Sequence, residues 1–355
     1  MNKYPQLDLA RSLAALFVFF NHLRYIIFLG FHEQDMGIGG KVFFFLTGFG
    51  HQSVIIFFVL SGFFISKSIV DSIERKAWSI KRYAIQRLTR LWVVLIPALG
   101  FTFLLDTMAW DYFNFNNSSG RSSLLDFVKN MFFLQNFAGP TFGSNLALWS
   151  LGNEFWYYVM LPFLLIPVYI RKNRVLSIGL AVVALATGFW ILNHLFVGTH
   201  GFFIFLMGTL VYLITRHGGK KISRLYFYLS LAMFLVVLTL TRFVYNHPEL
   251  GDLALGLAFT VMAFTWLKTR NPLAEKYEKA SHFLSSFSFT IYVTHVPLML
   301  FFCSMLRLNA ESLSANAIMW YCLLAIIILS ICWLFYWLFE RNTFLVRKYF
   351  EKRLL

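Results

Sequence analysis

The chain has 355 residues, of which 59% are hydrophobic and 13% charged, and its formal net charge is +15. Its mean hydropathy is +0.66. No soluble domain of this length can bury so much apolar surface, so the composition excludes a soluble protein and predicts a polytopic membrane protein.

Ten hydrophobic segments approach the ~20 residues that a helix needs to cross a bilayer. They cover residues 7–29, 50–66, 91–110, 147–170, 175–193, 200–215, 225–243, 252–267, 283–303 and 317–339. The first is too long and too polar for a cleaved signal peptide, and we interpret it as a retained span. We therefore expect an all-α, ten-helix membrane domain over residues 1–355, with no appended soluble domain.

The basic residues indicate how this domain is oriented. With the N-terminus inside, the cytoplasmic segments hold 24 of the 31 Lys and Arg residues. This asymmetry follows the positive-inside rule and predicts that both termini are cytoplasmic. The excess charge is thus mostly explained by topology, so we expect a lipid bilayer and no nucleic acid as partner. The Cys and His spacings match no metal motif, and we expect no metal.

The first segment carries ionisable residues, which are costly in a span and normally face a protein interior or an aqueous cavity. Arg11 and His22 share one helix face and lie about 16 Å apart along the axis. Asp8, Ala15 and Val18 fall on the same stripe. The small residues between Arg11 and His22 leave room for a long, thin ligand. Alternatively, His22 is a buried histidine bonded to a neighbouring helix.

Two motifs near the second and third segments each have two interpretations. Ser61 precedes Gly62, and this small-residue pair is typical of helix packing, although a serine can also act in catalysis. Arg87 and Arg90 are three residues apart at the predicted inner boundary, where they can clamp phosphates bidentately. The alternative for this arginine pair is ordinary contact with anionic lipid.

Two later motifs place further polar groups in apolar sequence. Glu154 follows Trp149 and Ser150 at the start of the fourth segment, and it must be paired, protonated or functional there. It can act as acid or base, or be a structural partner of a buried cation. Tyr292 and His295 lie in a hydroxyl-rich stretch that suggests a polar cavity, although hydroxyls bonding their own helix backbone explain most of it.

Taken together, these motifs resemble those of the acyltransferase-3 family of membrane O-acyltransferases, which modify bacterial surface polysaccharides and related glycans. The matching residues are Leu7, Asp8, Arg11 and His22; Phe57–Ile65; Arg87, Arg90 and Pro97; Trp149, Ser150, Leu151 and Glu154; and Ser286, Phe287, Ser288, Tyr292 and His295. Phe155 stands where the family often has a second acid, and Asn342 where it has a proline.

The resemblance implies a multi-pass O-acetyltransferase of the bacterial inner membrane. Acetyl-CoA would be the donor, bound from the cytoplasm by Arg11, Arg87 and Arg90. A sugar hydroxyl of an O-antigen, capsule or similar glycan would be the acceptor. His22 would act as general base or transient acyl carrier, and Glu154 would orient it or assist proton transfer.

The remaining motif residues would support the site: Asp8, Ser61, Trp149, Ser150, Tyr292 and His295. Two other functions stay open. One is a transporter or flippase for a lipid-linked glycan, in which the buried charges would form a substrate path. The other is an acyltransferase that acts on a lipid or a small metabolite.

Overall fold

The computed structural model describes residues 4–116, 120–169, 174–195, 197–218, 220–243, 248–269, 277–308 and 310–355. These residues are mainly helical, and they form no β-strand. The helices are α1 (Pro5–Ile27), α2 (Ile38–Leu46), α3 (Gly50–Glu74), α4 (Ile80–Phe113), α5 (Leu124–Met131), α6 (Leu148–Tyr169), α7 (Arg174–Leu192), α8 (Gly198–Thr215), α9 (Arg224–Phe243), α10 (Pro248–Lys268), α11 (Glu278–Ser286), α12 (Ser288–Leu306), α13 (Ala315–Leu338), a 3-10 turn (Glu340–Asn342) and α14 (Thr343–Leu354).

Each of the ten hydrophobic segments contains most of a long helix, namely α1, α3, α4, α6, α7, α8, α9, α10, α12 or α13. In the described part of the chain, seven helical stretches are long and apolar enough to span a membrane. They are Ile38–Glu74, Ile80–Phe113, Gly198–Thr215, Arg224–Phe243, Pro248–Lys268, Ser288–Leu306 and Ala315–Leu354. The all-α polytopic class is therefore confirmed, while α1, α6 and α7 stay predicted spans.

The ninth predicted segment differs from one continuous helix, because the helix is interrupted at Phe287, between α11 and α12. The Glu340 carboxylate accepts hydrogen bonds there from the backbone N–H (3.1 Å) and the hydroxyl (2.5 Å) of Thr290. A carboxylate at the first turn of a helix accepts from a backbone N–H that would otherwise be unpaired, and its negative charge is stabilised by the positive end of the helix dipole. The new helix therefore begins where Glu340 can cap it.

The described chain divides into two compact units, and the first comprises Met1–Ser12, Val54–Ala84 and Ser150–Ser285. Within it, α3 and α8 approach at two glycines. A Cβ added at Gly62 would overlap the Phe205 carbonyl oxygen, and one added at Gly208 would overlap that of Val59. Such close approach of two helix backbones requires residues without side chains, as is common in membrane helix packing.

The second unit comprises Leu13–Ser53, Ile85–Trp149 and Ser286–Leu355. Its irregular segment between α4 and α6 is held by buried amide side chains. The Asn130 amide donates to the Pro140 carbonyl (3.0 Å), and its side-chain oxygen accepts from the Phe142 backbone N–H (3.0 Å). These bonds satisfy backbone groups that no helix pairs, as burial demands.

Candidate functional site

Two histidines predicted from separate motifs meet in the second unit. Nδ1 of His22 on α1 lies 2.8 Å from Nε2 of His295 on α12. The two rings are nearly coplanar, with an angle of 4° between their planes. His295 is completely buried, whereas His22 is partly exposed. The structure thus places one imidazole behind the other, with His22 on the accessible side.

The backbone determines the order of protons in this pair. Nδ1 of His295 lies 2.8 Å from the Ile291 carbonyl oxygen, which can only accept, so this nitrogen carries a proton. In the neutral ring, Nε2 of His295 is then an acceptor, and Nδ1 of His22 donates to it. Nε2 of His22 therefore has a free lone pair, and no described residue bonds to it.

A proline explains part of how α12 presents His295. Pro297 has no N–H, so the carbonyl of Val293 four residues earlier loses its helical partner. The Asn145 side-chain amide donates to that carbonyl instead, at 2.7 Å. One residue before Val293, the Tyr292 hydroxyl donates to the Ala147 carbonyl at 2.7 Å. The segment that precedes Trp149 thereby holds α12 from the side.

The first unit contains the predicted carboxylate. Glu154 on α6 accepts hydrogen bonds from the hydroxyls of Ser61 on α3 and Tyr158 one turn further along α6. Both hydroxyls donate to the same carboxylate oxygen, Oε1. Ser61 therefore orients Glu154, while its neighbour Gly62 provides the close helix contact that the sequence favoured.

A second proline lies behind this carboxylate. Pro162 leaves the carbonyl of Tyr158 without its helical donor, and the Tyr83 hydroxyl donates to it at 2.8 Å. Tyr158 is 8% exposed and Tyr83 is 7% exposed, so an unsatisfied carbonyl there would be costly. The backbone that carries Tyr158 is thus anchored on one side, and its hydroxyl holds Glu154 on the other.

The N-terminal part of α1 also belongs to the first unit. The Arg11 guanidinium lies over the Phe64 ring, with Cζ 4.4 Å from the ring centroid. Asp8 is only 5% exposed. The Ser12 hydroxyl one turn later donates to the Asp8 carbonyl (2.8 Å) and reaches the Ser281 carbonyl (3.0 Å). The polar start of α1 is therefore packed against protein, as expected for charges in a span.

The two arginines of the predicted pair, Arg87 and Arg90, differ in exposure and in their surroundings. Arg90 on α4 is exposed and lines a cavity of about 290 Å³ that also contains Arg341 and Arg347. Arg87 is partly buried and does not line that cavity. Both arginines belong to the second unit. The sequence therefore identified one of the three arginines at this cavity.

The other predicted site residues are buried or hydrogen-bonded within their own units. Trp149 accepts a bond from the Asn136 amide at its backbone oxygen (3.2 Å), and Ser150 is buried at 6% exposure. Ala15 and Val18 are each 2% exposed, so the stripe between Arg11 and His22 faces protein. The Thr294 hydroxyl donates to the Thr290 carbonyl of its own helix (2.7 Å), whereas the Thr290 and Tyr292 hydroxyls donate to other segments, so self-bonding explains only part of this hydroxyl-rich stretch.

Sequence reasoning missed several residues with defined roles. Tyr158 lies one turn after Glu154 and could have been found from that spacing. Pro297 indicates that the Val293 carbonyl needs a donor from outside its helix. The sequence does not indicate that Asn145 is this donor. Arg341 lies in the stretch that resembles the family's terminal Glu-Arg-Pro, but no role was expected for it. Arg347 shares only its basic character with many residues near the C-terminus.

Comparisons with known proteins agree with these motifs. Residues 4–337 match the family described as an acyltransferase domain, Acyl_transf_3. An uncharacterized protein of Haemophilus influenzae is 29% identical over 144 residues, which cover 38% of this chain and 59% of that protein. No solved structure gives a significant match. Because the family match spans nearly the whole chain and the fold is helical with several apolar spans, the chain belongs to the acyltransferase-3 family of multi-pass membrane acyltransferases.

Proposed function

We propose that this enzyme transfers an acetyl group from acetyl-CoA, on the cytoplasmic side of the inner membrane, to a sugar hydroxyl of a surface glycan. The observation that carries the proposal is the chain of contacts from the Ile291 carbonyl through His295 to His22. With both rings neutral, this chain assigns the unprotonated nitrogen to Nε2 of His22, on the partly exposed side. An acceptor hydroxyl needs a base at such a position, whereas a carrier that only moves a glycan does not.

The proposed step is a direct transfer. Nε2 of His22 takes the proton of the sugar hydroxyl while the hydroxyl oxygen attacks the thioester carbonyl carbon. The carbon–sulfur bond then breaks, and the proton on His22 passes to the departing sulfur, so that the free thiol of coenzyme A leaves. His295 acts through His22, because it accepts a hydrogen bond from Nδ1–H of His22 and thereby keeps the free lone pair on Nε2 of His22.

A two-step route would use the same nitrogen. The acetyl group would first form a bond to Nε2 of His22 and release coenzyme A, and the sugar hydroxyl would then take the acetyl group. Initial-rate kinetics with both substrates varied distinguish the routes. Parallel double-reciprocal lines indicate the two-step route, and intersecting lines indicate direct transfer.

The donor and acceptor are tested with isotope-labelled acetyl-CoA supplied to inverted membrane vesicles that contain the glycan. Acetate in the glycan supports the proposal, and the proton NMR spectrum of surface polysaccharide with and without the enzyme identifies the modified position. Movement of unmodified glycan without acetylation would contradict it. Labelled acetate in a lipid or small metabolite would overturn the glycan acceptor and retain the donor.

The role of His22 is tested by His22→Gln, which keeps hydrogen bonding but cannot carry a proton or an acetyl group. General acid–base steps contribute roughly 10²–10⁴-fold, so acetylation should fall by at least that order. Expression and membrane insertion should stay normal. Near-normal acetylation by the Gln variant would show that His22 is structural and would move the search for a base to Glu154 and His295.

A further inference from the structure

The cavity beside Arg90 concentrates positive charge from three parts of the second unit. Arg90 comes from α4, Arg341 from the 3-10 turn, and Arg347 from α14, and all three line the same space of about 290 Å³. Among the described residues, no carboxylate lies within 4.0 Å of any of these guanidinium groups. Three cations that share a cavity with a single carboxylate keep a net positive charge and repel one another, unless an anionic ligand binds there.

The one acid in the cavity wall offsets only part of this charge. Glu340 also lines the space, but its carboxylate oxygen Oε2 is taken by the backbone N–H and hydroxyl of Thr290. Glu340 thereby positions the turn that carries Arg341. The cavity keeps a surplus of cationic donors.

A hydroxyl in the same wall lacks a partner. Thr343 lines the cavity, and its Oγ1 is buried without a hydrogen bond to any described residue. A buried hydroxyl without a partner is costly, and such groups commonly await a ligand or water. The combination of an unsatisfied hydroxyl and three arginines matches the donors that bind phosphate oxygens.

Aromatic rings hold two of the arginines in place. Cζ of Arg341 lies 5.4 Å from the centre of the Trp337 ring, and Cζ of Arg347 lies 5.2 Å from that of Phe344. Stacking restricts each guanidinium before any ligand binds, so less conformational entropy is lost on binding. The arginines are therefore organised before a ligand arrives.

We propose that this cavity binds phosphate groups, namely those at the nucleotide end of the acyl donor, with Arg341, Arg347 and Thr343 acting beside Arg90. This inference rests on the proposed use of acetyl-CoA. All three arginines lie in segments predicted to face the cytoplasm, where the donor would enter. Small-molecule pockets typically measure about 300–1,000 Å³, so this cavity holds the phosphate-bearing part while the rest of the donor extends outside it.

The first experiment compares acetyl-CoA with acetyl-dephospho-CoA, which lacks the 3′-phosphate, by calorimetric binding to the purified protein in nanodiscs. The wild type should bind acetyl-CoA more tightly. Arg341→Gln and Arg347→Gln should each weaken acetyl-CoA binding by roughly 10–100-fold, the range for hydrogen bonds to charged groups. At least one of them should also reduce the preference for the 3′-phosphate.

Arg353→Gln is the matched control, because Arg353 lies on α14 like Arg347 but does not line the cavity. Its Cζ also stacks on an aromatic ring, 4.6 Å from the centre of Tyr349. It should bind both ligands like the wild type. Gel filtration and thermal unfolding check that each variant remains folded. Arg341→Lys and Arg347→Lys retain charge, and should recover part of the affinity if the Gln variants act through the phosphates.

A second measurement separates donor phosphates from lipid phosphates. Native mass spectrometry counts phosphatidylglycerol retained by the same variants. Fewer retained lipids with unchanged acetyl-CoA affinity would make this a lipid headgroup site and overturn the proposal. Unchanged acetyl-CoA affinity and unchanged lipid retention would also overturn it. If the wild type bound no acetyl-CoA at all, the proposed donor itself would be wrong. This outcome differs from one in which the wild type binds acetyl-CoA but the arginine variants bind it equally well.

Discussion

At the scale of single residues, the Ile291 carbonyl controls the chemistry that His22 can perform. It accepts a hydrogen bond from Nδ1–H of His295, and Nε2 of His295 in turn accepts one from Nδ1–H of His22. Because each neutral imidazole has a single N–H, this order leaves one basic nitrogen in the chain of bonds, and it lies on His22. Burial of His295 at 0% exposure favours the neutral ring over a buried cation.

His295 is therefore expected to be a positioning residue, and two substitutions separate this role from simple packing. His295→Leu removes the acceptor for His22 Nδ1 and should lower kcat roughly tenfold or more, with KM for acetyl-CoA unchanged. His295→Gln offers a carboxamide oxygen as acceptor and should retain more activity. Steady-state kinetics on folded variants check this. Equal kcat values for Leu and Gln would contradict the positioning role.

Glu154 offers a second prediction at this scale. Its oxygen Oε1 accepts from two hydroxyls, and Glu154→Gln keeps the size and an acceptor oxygen for both donors but loses the acidic group. If Glu154 transfers protons, the Gln variant should lose roughly 10²-fold in rate, because an amide cannot act as acid or base. Ser61→Ala should cost less, since Tyr158 still holds the carboxylate. Near-normal rates for Glu154→Gln would show a purely structural carboxylate.

At the scale of elements, prolines and glycines determine how these helices meet. Pro162 and Pro297 each free a carbonyl within a helix, and in both cases a side chain from another segment donates to it. A break in the helical bonding thus becomes a specific attachment point. Such substitutes for lost backbone bonds are what make proline tolerable in membrane helices.

The crossing of α3 and α8 gives a prediction about stability. Gly62→Ala or Gly208→Ala would drive a methyl group into a backbone carbonyl of the facing helix, which cannot move aside as a side chain would. We expect each to destabilise the fold by about 1–3 kcal/mol or more, as overpacking does. Thermal unfolding in detergent measures the effect.

Gly100→Ala is the control for this pair, because Gly100 also lies inside a helix but has no atom within 4 Å of the added Cβ. It should match the wild type or exceed it slightly, since alanine favours helix more than glycine. Equal melting temperatures for all three variants would mean that α3 and α8 do not depend on this close approach.

At the scale of the whole molecule, the distribution of basic residues predicts which loops face the cytoplasm. Single cysteines are introduced at Asp35 and Lys220, both exposed, in a background without Cys303, Cys322 and Cys332. A membrane-impermeant thiol reagent on spheroplasts should label the cysteine at position 35 and spare the one at position 220. Detergent permeabilisation should make both reactive, which controls for access.

Equal labelling in intact spheroplasts would break the ten-span arrangement. It would also remove the argument that the arginine cavity faces the cytoplasm.

The helices themselves were largely predictable. Ten apolar segments near spanning length each contain most of a helix, because the bilayer thickness sets that length and the hydrocarbon core requires every backbone group to be bonded internally. The interruption at Phe287 was not predictable, since the new helix begins at a cap from the Glu340 carboxylate, 50 residues from the Thr290 it bonds.

By itself, the sequence determined the helical membrane class, the family and the set of ionisable residues placed in apolar segments, because composition and short motifs carry that information locally. Only the tertiary structure decided which of those residues meet. His22 and His295 are 273 residues apart in the chain and 2.8 Å apart in space. Arg347 joins Arg90 at one cavity for the same reason: the packing of distant helices brings side chains together, and no spacing along the chain encodes that packing.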